Sequence, residues 1–191
     1  GKNARGNDNI MIGTNAGLNA SGSKNLLIGS EAGRTSEGND NVYIGYQAGK
    51  NISGLNATAF GNVMIGQYIG RNIKEGQRNV LLGSGTNSVG TGDQLTSGSD
   101  NIMVGYQAGK TLVTENHNIF IGTHSGYSTR DGESNLFMGS ESGYTNVTGR
   151  FNSFLGRKSG YSNTTGNDNT FVGYQSGYSN ISGEQNFNLG T

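Results

Sequence analysis

Cysteine and proline are both missing from this chain, and each absence excludes something. Without cysteine there is no disulfide and no thiol chemistry, and the compartment stays open. Without proline every backbone nitrogen keeps its donor, which suits a continuous hydrogen-bonded ladder. Net charge is missing too. The 13 basic and 13 acidic residues are scattered, leaving no electrostatic footprint for nucleic acid or an anionic membrane. No run approaches the roughly 18 apolar residues of a membrane span, so no insertion by this segment is expected. The chain opens on Gly-Lys-Asn, not on a charged start followed by an apolar stretch. It reads as an internal piece of a longer protein, a single repeat domain over residues 1–191.

Apolar content is only 31%, while Gly fills 35 of 191 positions. Composition alone would point toward disorder. Periodicity overrules it. The asparagines at 9, 25, 41, 62, 79, 101, 118, 135, 152, 169 and 186 each open one phrase: Asn, a short apolar run, then Gly at the fifth position. The steps are 16, 16, 21, 17, 22 and then 17 residues five times over. That is too short for a helical pair and right for one turn of a β-solenoid. The fold class expected is all-β, a β-solenoid of about eleven rungs of 16–17 residues. At about 4.8 Å per rung the shaft is on the order of 50 Å long.

Residues one and three after each Asn share a strand face, as in Ile10/Ile12, Leu26/Ile28, Val63/Ile65 and Ile119/Ile121. That face is expected to be the core. The residue between them is also apolar: Met11, Leu27, Tyr43, Met64, Leu81, Met103, Phe120, Phe137, Phe154 and Phe171. Two apolar faces imply burial on both sides. The second face is therefore assigned to contact with another copy, with Phe120, Phe137, Phe154 and Phe171 at a self-association interface. Closed symmetry allows a dimer or a trimer. Ala-Gly or Ser-Gly seven and eight residues after the Asn, and a Gly three before it, mark two turns and so two strands per rung. The Asn itself reads as a stacked amide ladder or as a left-handed turn residue.

The phrases Gly45-Tyr46-Gln47-Ala48-Gly49, Gly105-Tyr106-Gln107-Ala108-Gly109 and Gly173-Tyr174-Gln175-Ser176-Gly177 resemble repeats of phage tail fibres and large bacterial surface fibres. The Asn-to-Gly core is also similar to the β-roll in the head of trimeric autotransporter adhesins. That resemblance implies a left-handed coil and a homotrimeric extracellular fibre, on a cell surface or a virion, that attaches to a cell. It differs from the adhesin head in its longer period and its regular Ala-Gly pair.

Interruptions of a regular solenoid are natural places for function. Two long steps carry extra segments, at Leu55 to Phe60 and within Ser84 to Thr96. Thr111 to Asn116 has Glu115 where a turn Gly is usual. The residue nine after the Asn reads Leu18, Arg34, Lys50, Arg71, Ser88, Lys110, Tyr127, Tyr144, Tyr161 and Tyr178. A column of four tyrosines follows, either as packing or as a platform for a cell-surface glycan gaining strength by avidity.

No cofactor or metal set is expected. His117 and His124 occupy different places in the repeat, and Gly-Asn-Asp-Asn strings starting at Gly6, Gly38 and Gly166 read as turns rather than calcium sites. Six glycosylation sequons, at Asn19, Asn51, Asn56, Asn146, Asn163 and Asn180, are what such a composition yields by chance. Two rival functions are weighed against a non-catalytic fibre. A tailspike-like polysaccharide-cleaving enzyme needs paired carboxylates, whereas Glu31, Glu37, Glu75, Glu115, Glu133, Glu141 and Glu184 lie on different rungs. Ice binding needs threonine ranks, and none recurs.

Overall fold

The computed structural model describes residues 4–52, 59–86 and 89–190. Each repeat contributes one three-residue strand immediately after its Asn. The strands are β1 (Ile10–Ile12), β2 (Leu26–Ile28), β3 (Val42–Ile44), β4 (Val63–Ile65), β5 (Val80–Leu82), β6 (Ile102–Val104), β7 (Ile119–Ile121), β8 (Leu136–Met138), β9 (Ser153–Leu155), β10 (Thr170–Val172) and β11 (Phe187–Leu189). They form one parallel sheet in chain order. Register is position for position: Phe120 lies beside Phe137 and Phe137 beside Phe154. The chain is an all-β parallel β-solenoid of eleven rungs.

Among the described residues a second strand per rung does not form. The opposite wall is a series of turns, with Ser142 N–H donating to the Gly139 carbonyl and Asn146 N–H to that of Gly143. Its backbone cannot extend because left-handed residues recur there, such as Glu141 and Gly143, both at φ 58°. Rung-to-rung bonds nevertheless continue across it, including Gly143 N–H to Ser159 O at 3.0 Å and Val147 N–H to Thr164 O at 2.9 Å. The polar backbone is thus paired along the axis on both walls.

The Asn at each rung start is a ladder. Its Oδ1 accepts the backbone N–H of the next rung's Asn, from Asn25 on Asn9 (2.8 Å) through Asn118 on Asn101 (2.9 Å) to Asn186 on Asn169 (3.0 Å). Its Nδ2 donates to the carbonyl three residues before the next Asn, as from Asn118 to Gly132 at 3.0 Å. A Cβ on Gly132 would stand 2.5 Å from the Gly149 carbonyl oxygen. Glycine is needed there for close approach. The left-handed position belongs instead to the residue before the Asn, including Asp8, Lys24, Asp40, His117 and Phe151.

Phe151 is the outlier, a bulky side chain at φ 56° with over half of its surface exposed. Left-handed backbone costs an ordinary L-residue roughly 1–2 kcal/mol and is eased for Asn. Phe151→Asn is therefore expected to raise the melting temperature by a few degrees, about 2–4 °C per kcal/mol at this chain length. A thermal melt followed by circular dichroism checks it, and an unchanged or lower midpoint would refute the strain.

The core is the inward column of the sheet. Leu27, Tyr43, Met64, Leu81, Met103, Phe120, Phe137 and Phe154 have no exposed surface. The turn wall packs against them with a column eleven residues after the Asn, which includes the buried Ala20, Ser36, Ile52, Ile73, Leu112, Thr129, Asn146 and Asn163. Where the sheet supplies Met64 and Met103 the turn wall supplies Ile73 and Leu112. Where it supplies Phe137 and Phe154 the partner shrinks to Asn146 and Asn163. The exchange is confined to these rungs, since Tyr43 keeps the large Ile52 and Leu27 has only Ser36.

The expected assignment of faces is therefore reversed. Residues one and three after the Asn point outward and stay partly exposed, while the middle residue fills the chain's own interior. Phe120, Phe137, Phe154 and Phe171 lie inside one chain, not between chains. They stack at centroid separations of 5.2, 4.8 and 5.0 Å. The turn wall decides this, because its small Ala and Ser and its Ile and Leu close over the middle column.

Candidate functional site

The regular rungs hold the aromatic side chains in vertical columns. Tyr127, Tyr144, Tyr161 and Tyr178 stack as expected, at 4.9, 5.2 and 5.1 Å with planes within 7° of parallel. All four rings are half-buried. Both faces of Tyr144 and of Tyr161 are covered by neighbouring rings. The Lys110 ammonium sits 4.7 Å from the Tyr127 ring centre and donates to its hydroxyl at 2.6 Å. What Tyr144 and Tyr161 leave accessible is a strip of ring edges and hydroxyls. Desolvation, with Tyr127 and Tyr161 alongside, pushes the Tyr144 phenol above its ordinary value. Its hydroxyl stays protonated and can donate to a neutral acceptor.

A second aromatic column, five and six residues after the Asn, meets the first. The His124 ring lies 5.5 Å from Tyr106, 5.2 Å from Tyr127 and 6.1 Å from Tyr144. Together with Lys110 these form an aromatic patch edged by one cation, half-way along the shaft. Tyr46 and Tyr174, in the same column as Tyr106, are more exposed, at 42% and 48%. Sequence reasoning used these tyrosines only for the resemblance. The Gly-Tyr-Gln phrase was their signal, because a residue just after the strand Gly starts the turn and points outward.

The column nine residues after the Asn, basic at Arg34, Lys50, Arg71 and Lys110, is corrected at one rung. Counting puts Ser88 in it, but the extra residues of the long step are inserted before the turn wall resumes. Gly92 N–H bonds to Ala108 O as Gly109 N–H bonds to Ser125 O, so Asp93 takes the place beside Lys110. It faces Arg71 at 3.5 Å. Burial pushes the Asp93 carboxyl up, opposed by the Arg71 guanidinium. An acid within a basic column neutralises it along the axis.

The insertions leave the ladder intact. Asn41 Nδ2 reaches Ala59 O at 3.2 Å, and Asn62 N–H reaches Asn41 Oδ1 at 2.9 Å. Residues 55–58 of the first insertion, Asn56 of the sequons, and Asn87 and Ser88 of the second lie outside the described residues. Thr86 and Val89 bridge each other in antiparallel fashion at 3.0 Å both ways. Glu115, in the place of a turn Gly, lends its carbonyl to Asn101 Nδ2 at 2.9 Å.

Remaining chemistry is absorbed by the scaffold. Asn146 and Asn163 are fully buried and form a second amide ladder with Asn180, with Nδ2 to Oδ1 contacts of 2.9 Å. Their sequons are inaccessible in the folded rung. Asn39 and Asn167 of the Gly-Asn-Asp-Asn strings accept backbone N–H groups of the preceding rung, at 2.7 and 2.9 Å, and Asp40 and Asp168 are left-handed. Both histidines are left-handed turn residues. Glu31 lies 2.6 Å from Lys50, which holds its carboxyl below the usual range. Glu133 and Glu141 face Arg150 and Lys158 at 3.5 Å. Among the described residues no three His, Cys, Asp or Glu side chains are placed to hold a metal, and no helix is long and apolar enough to cross a membrane. Comparison with known proteins finds no matching family model, no matching curated protein and no matching solved structure.

Proposed function

We propose that this chain is a non-catalytic shaft segment of an extracellular, homotrimeric, left-handed β-roll fibre that attaches to a cell surface. The uninterrupted Asn ladder carries the reading. All ten rung-to-rung steps from Asn9 to Asn186 keep the Oδ1 contact, through both insertions. A chain that puts its polar side chains into axial ladders is built for length and stiffness. The charge pairs of Glu31, Glu133 and Glu141 with cations on neighbouring rungs leave them poorly suited to acid–base work on a sugar. The patch of Tyr106, His124, Tyr127 and Tyr144 is the best contact for a neutral glycan, through ring edges and hydroxyls, with avidity from repetition around a fibre.

The test is glycan-array binding by the folded chain beside the Tyr144→Ala/Tyr161→Ala double variant, with melting curves to confirm that both are folded. Binding is expected to fall at least tenfold in the variant. Undiminished binding would remove the tyrosine strip from the contact. Release of reducing ends from a bound polysaccharide would overturn the non-catalytic reading.

A further inference from the structure

The outward sheet face is unlike the rest of the surface. Two outward positions on each of eleven strands make twenty-two, and of these only Ser153 and Thr170 are not apolar. None is charged, although the chain has 26 charged residues, 13 of each sign. Parallel register places Ile beside Leu, Val beside Ile and so on, unbroken from β1 to β8 in both columns and interrupted only at Ser153 and Thr170 in one of them. Exposure is not confined to the ends: Ile65 and Met138, both mid-shaft, keep 40% and 42% of their surface.

We infer that this stripe is the surface by which copies of the chain associate side by side along their length. The inference rests on the self-association in the proposed fibre and moves its seat from the phenylalanine column to the aliphatic columns. Size supports it. Ten rung steps of about 4.8 Å and a three-residue strand about 10 Å wide give a flat area on the order of 500 Å2 per copy. Two such faces hide about 1,000 Å2, the lower limit for a specific interface. A patch of that size is at the upper end of what a monomer exposes, and such patches are often interaction surfaces. The repeat supports it as well. A partner must present matching side chains at every rung spacing over the whole shaft, and a second copy laid parallel does so automatically. Uncharged columns allow that contact without desolvating an ion.

The experiment measures the mass of the whole chain by light scattering, unmodified and as the Val104→Lys/Ile121→Lys pair. Both positions are partly exposed, so the rungs are expected to stay folded by circular dichroism. The unmodified chain is expected to have a multiple of the 20.0 kDa single-chain mass and the lysine pair the single-chain mass. Because the chain has no cysteine, Ile121→Cys and Asp131→Cys give an independent readout with a short bis-maleimide. Cross-linking between chains is expected at the first position and not at the second, which lies on the exposed turn side. An unmodified chain that is monomeric at all concentrations, including one that instead binds neutral lipid vesicles, would overturn both the inference and the self-association beneath it. A multimer that survives the lysine pair and cross-links through Asp131→Cys but not Ile121→Cys would overturn the inference alone.

Discussion

Asn118→Ala is expected to lower stability by about 3–5 kcal/mol, from two or three buried groups left unpaired at about 1–3 kcal/mol each, less some relaxation. The side chain accepts the Asn135 backbone N–H at 3.1 Å and its Nδ2 at 3.3 Å, and donates to Gly132 O at 3.0 Å. All of these groups are buried. In a solenoid each rung contacts only its neighbours, so the loss should divide one melting transition into two. Asn118→Asp gives a sharper signature. It keeps an acceptor for Asn135 but aims a buried carboxylate at the Gly132 carbonyl, which raises the folded pKa above the unfolded value of about 3.9. Protonation then favours folding. The penalty is largest above the folded pKa and shrinks as pH falls through it toward the unfolded one, because a protonated Asp can donate to Gly132. Melting curves across that range check it: the penalty of Asn118→Ala relative to the unmodified chain should be flat in pH and that of Asn118→Asp should not. Parallel behaviour would show that the ladder amide is not read as donor and acceptor.

Strand positions, rung count and the amide ladder were legible because a period of 16–17 residues repeats every one of those contacts. The direction of the faces was not. Three consecutive apolar residues such as Ile119-Phe120-Ile121 look the same from either side, and the deciding partner is nine residues further along the chain. Ile52, Ile73 and Leu112 marked it, as did the change to Asn146, Asn163 and Asn180 where the middle residue becomes Phe. Both were visible in the sequence, but only by comparing two columns nine residues apart. The second strand was expected because two turns usually bracket one. Left-handed residues of ordinary type, such as Glu141 and Lys158 at φ 58°, carry no such signature in sequence, and they convert that segment into turns. At the aromatic surface the Tyr stack was legible from rung spacing, whereas the covering of its ring faces needed the ring orientation. The place of Asp93 beside Lys110 was hidden by five inserted residues, which counting from Asn79 cannot locate.

Gly143→Val should cost more than any loss of a single hydrogen bond on the same turn. Gly143 sits at φ 58°, and a Cβ there would press into the ring of Phe137. Left-handed backbone adds roughly 1–2 kcal/mol for an L-residue, and overpacking typically 1–3 kcal/mol more. Phe137 cannot yield, because it is stacked 4.8 Å from Phe154 and 5.2 Å from Phe120. The neighbouring Ser142→Ala removes one bond, from Oγ to the Phe154 carbonyl at 3.0 Å, worth about 1 kcal/mol. Alanine already fills that place at Ala16, Ala32, Ala48 and Ala108. Conversion at about 2–4 °C per kcal/mol for a chain of this length puts Gly143→Val on the order of 10 °C below the unmodified chain and Ser142→Ala within a few degrees of it. Gly143→Ala should fall between them, since its methyl meets the ring but lacks the β-branch. Coincident melting curves for Gly143→Val and Ser142→Ala would mean that the turn wall has slack against the phenylalanine column, and the close packing of the two would fall with it.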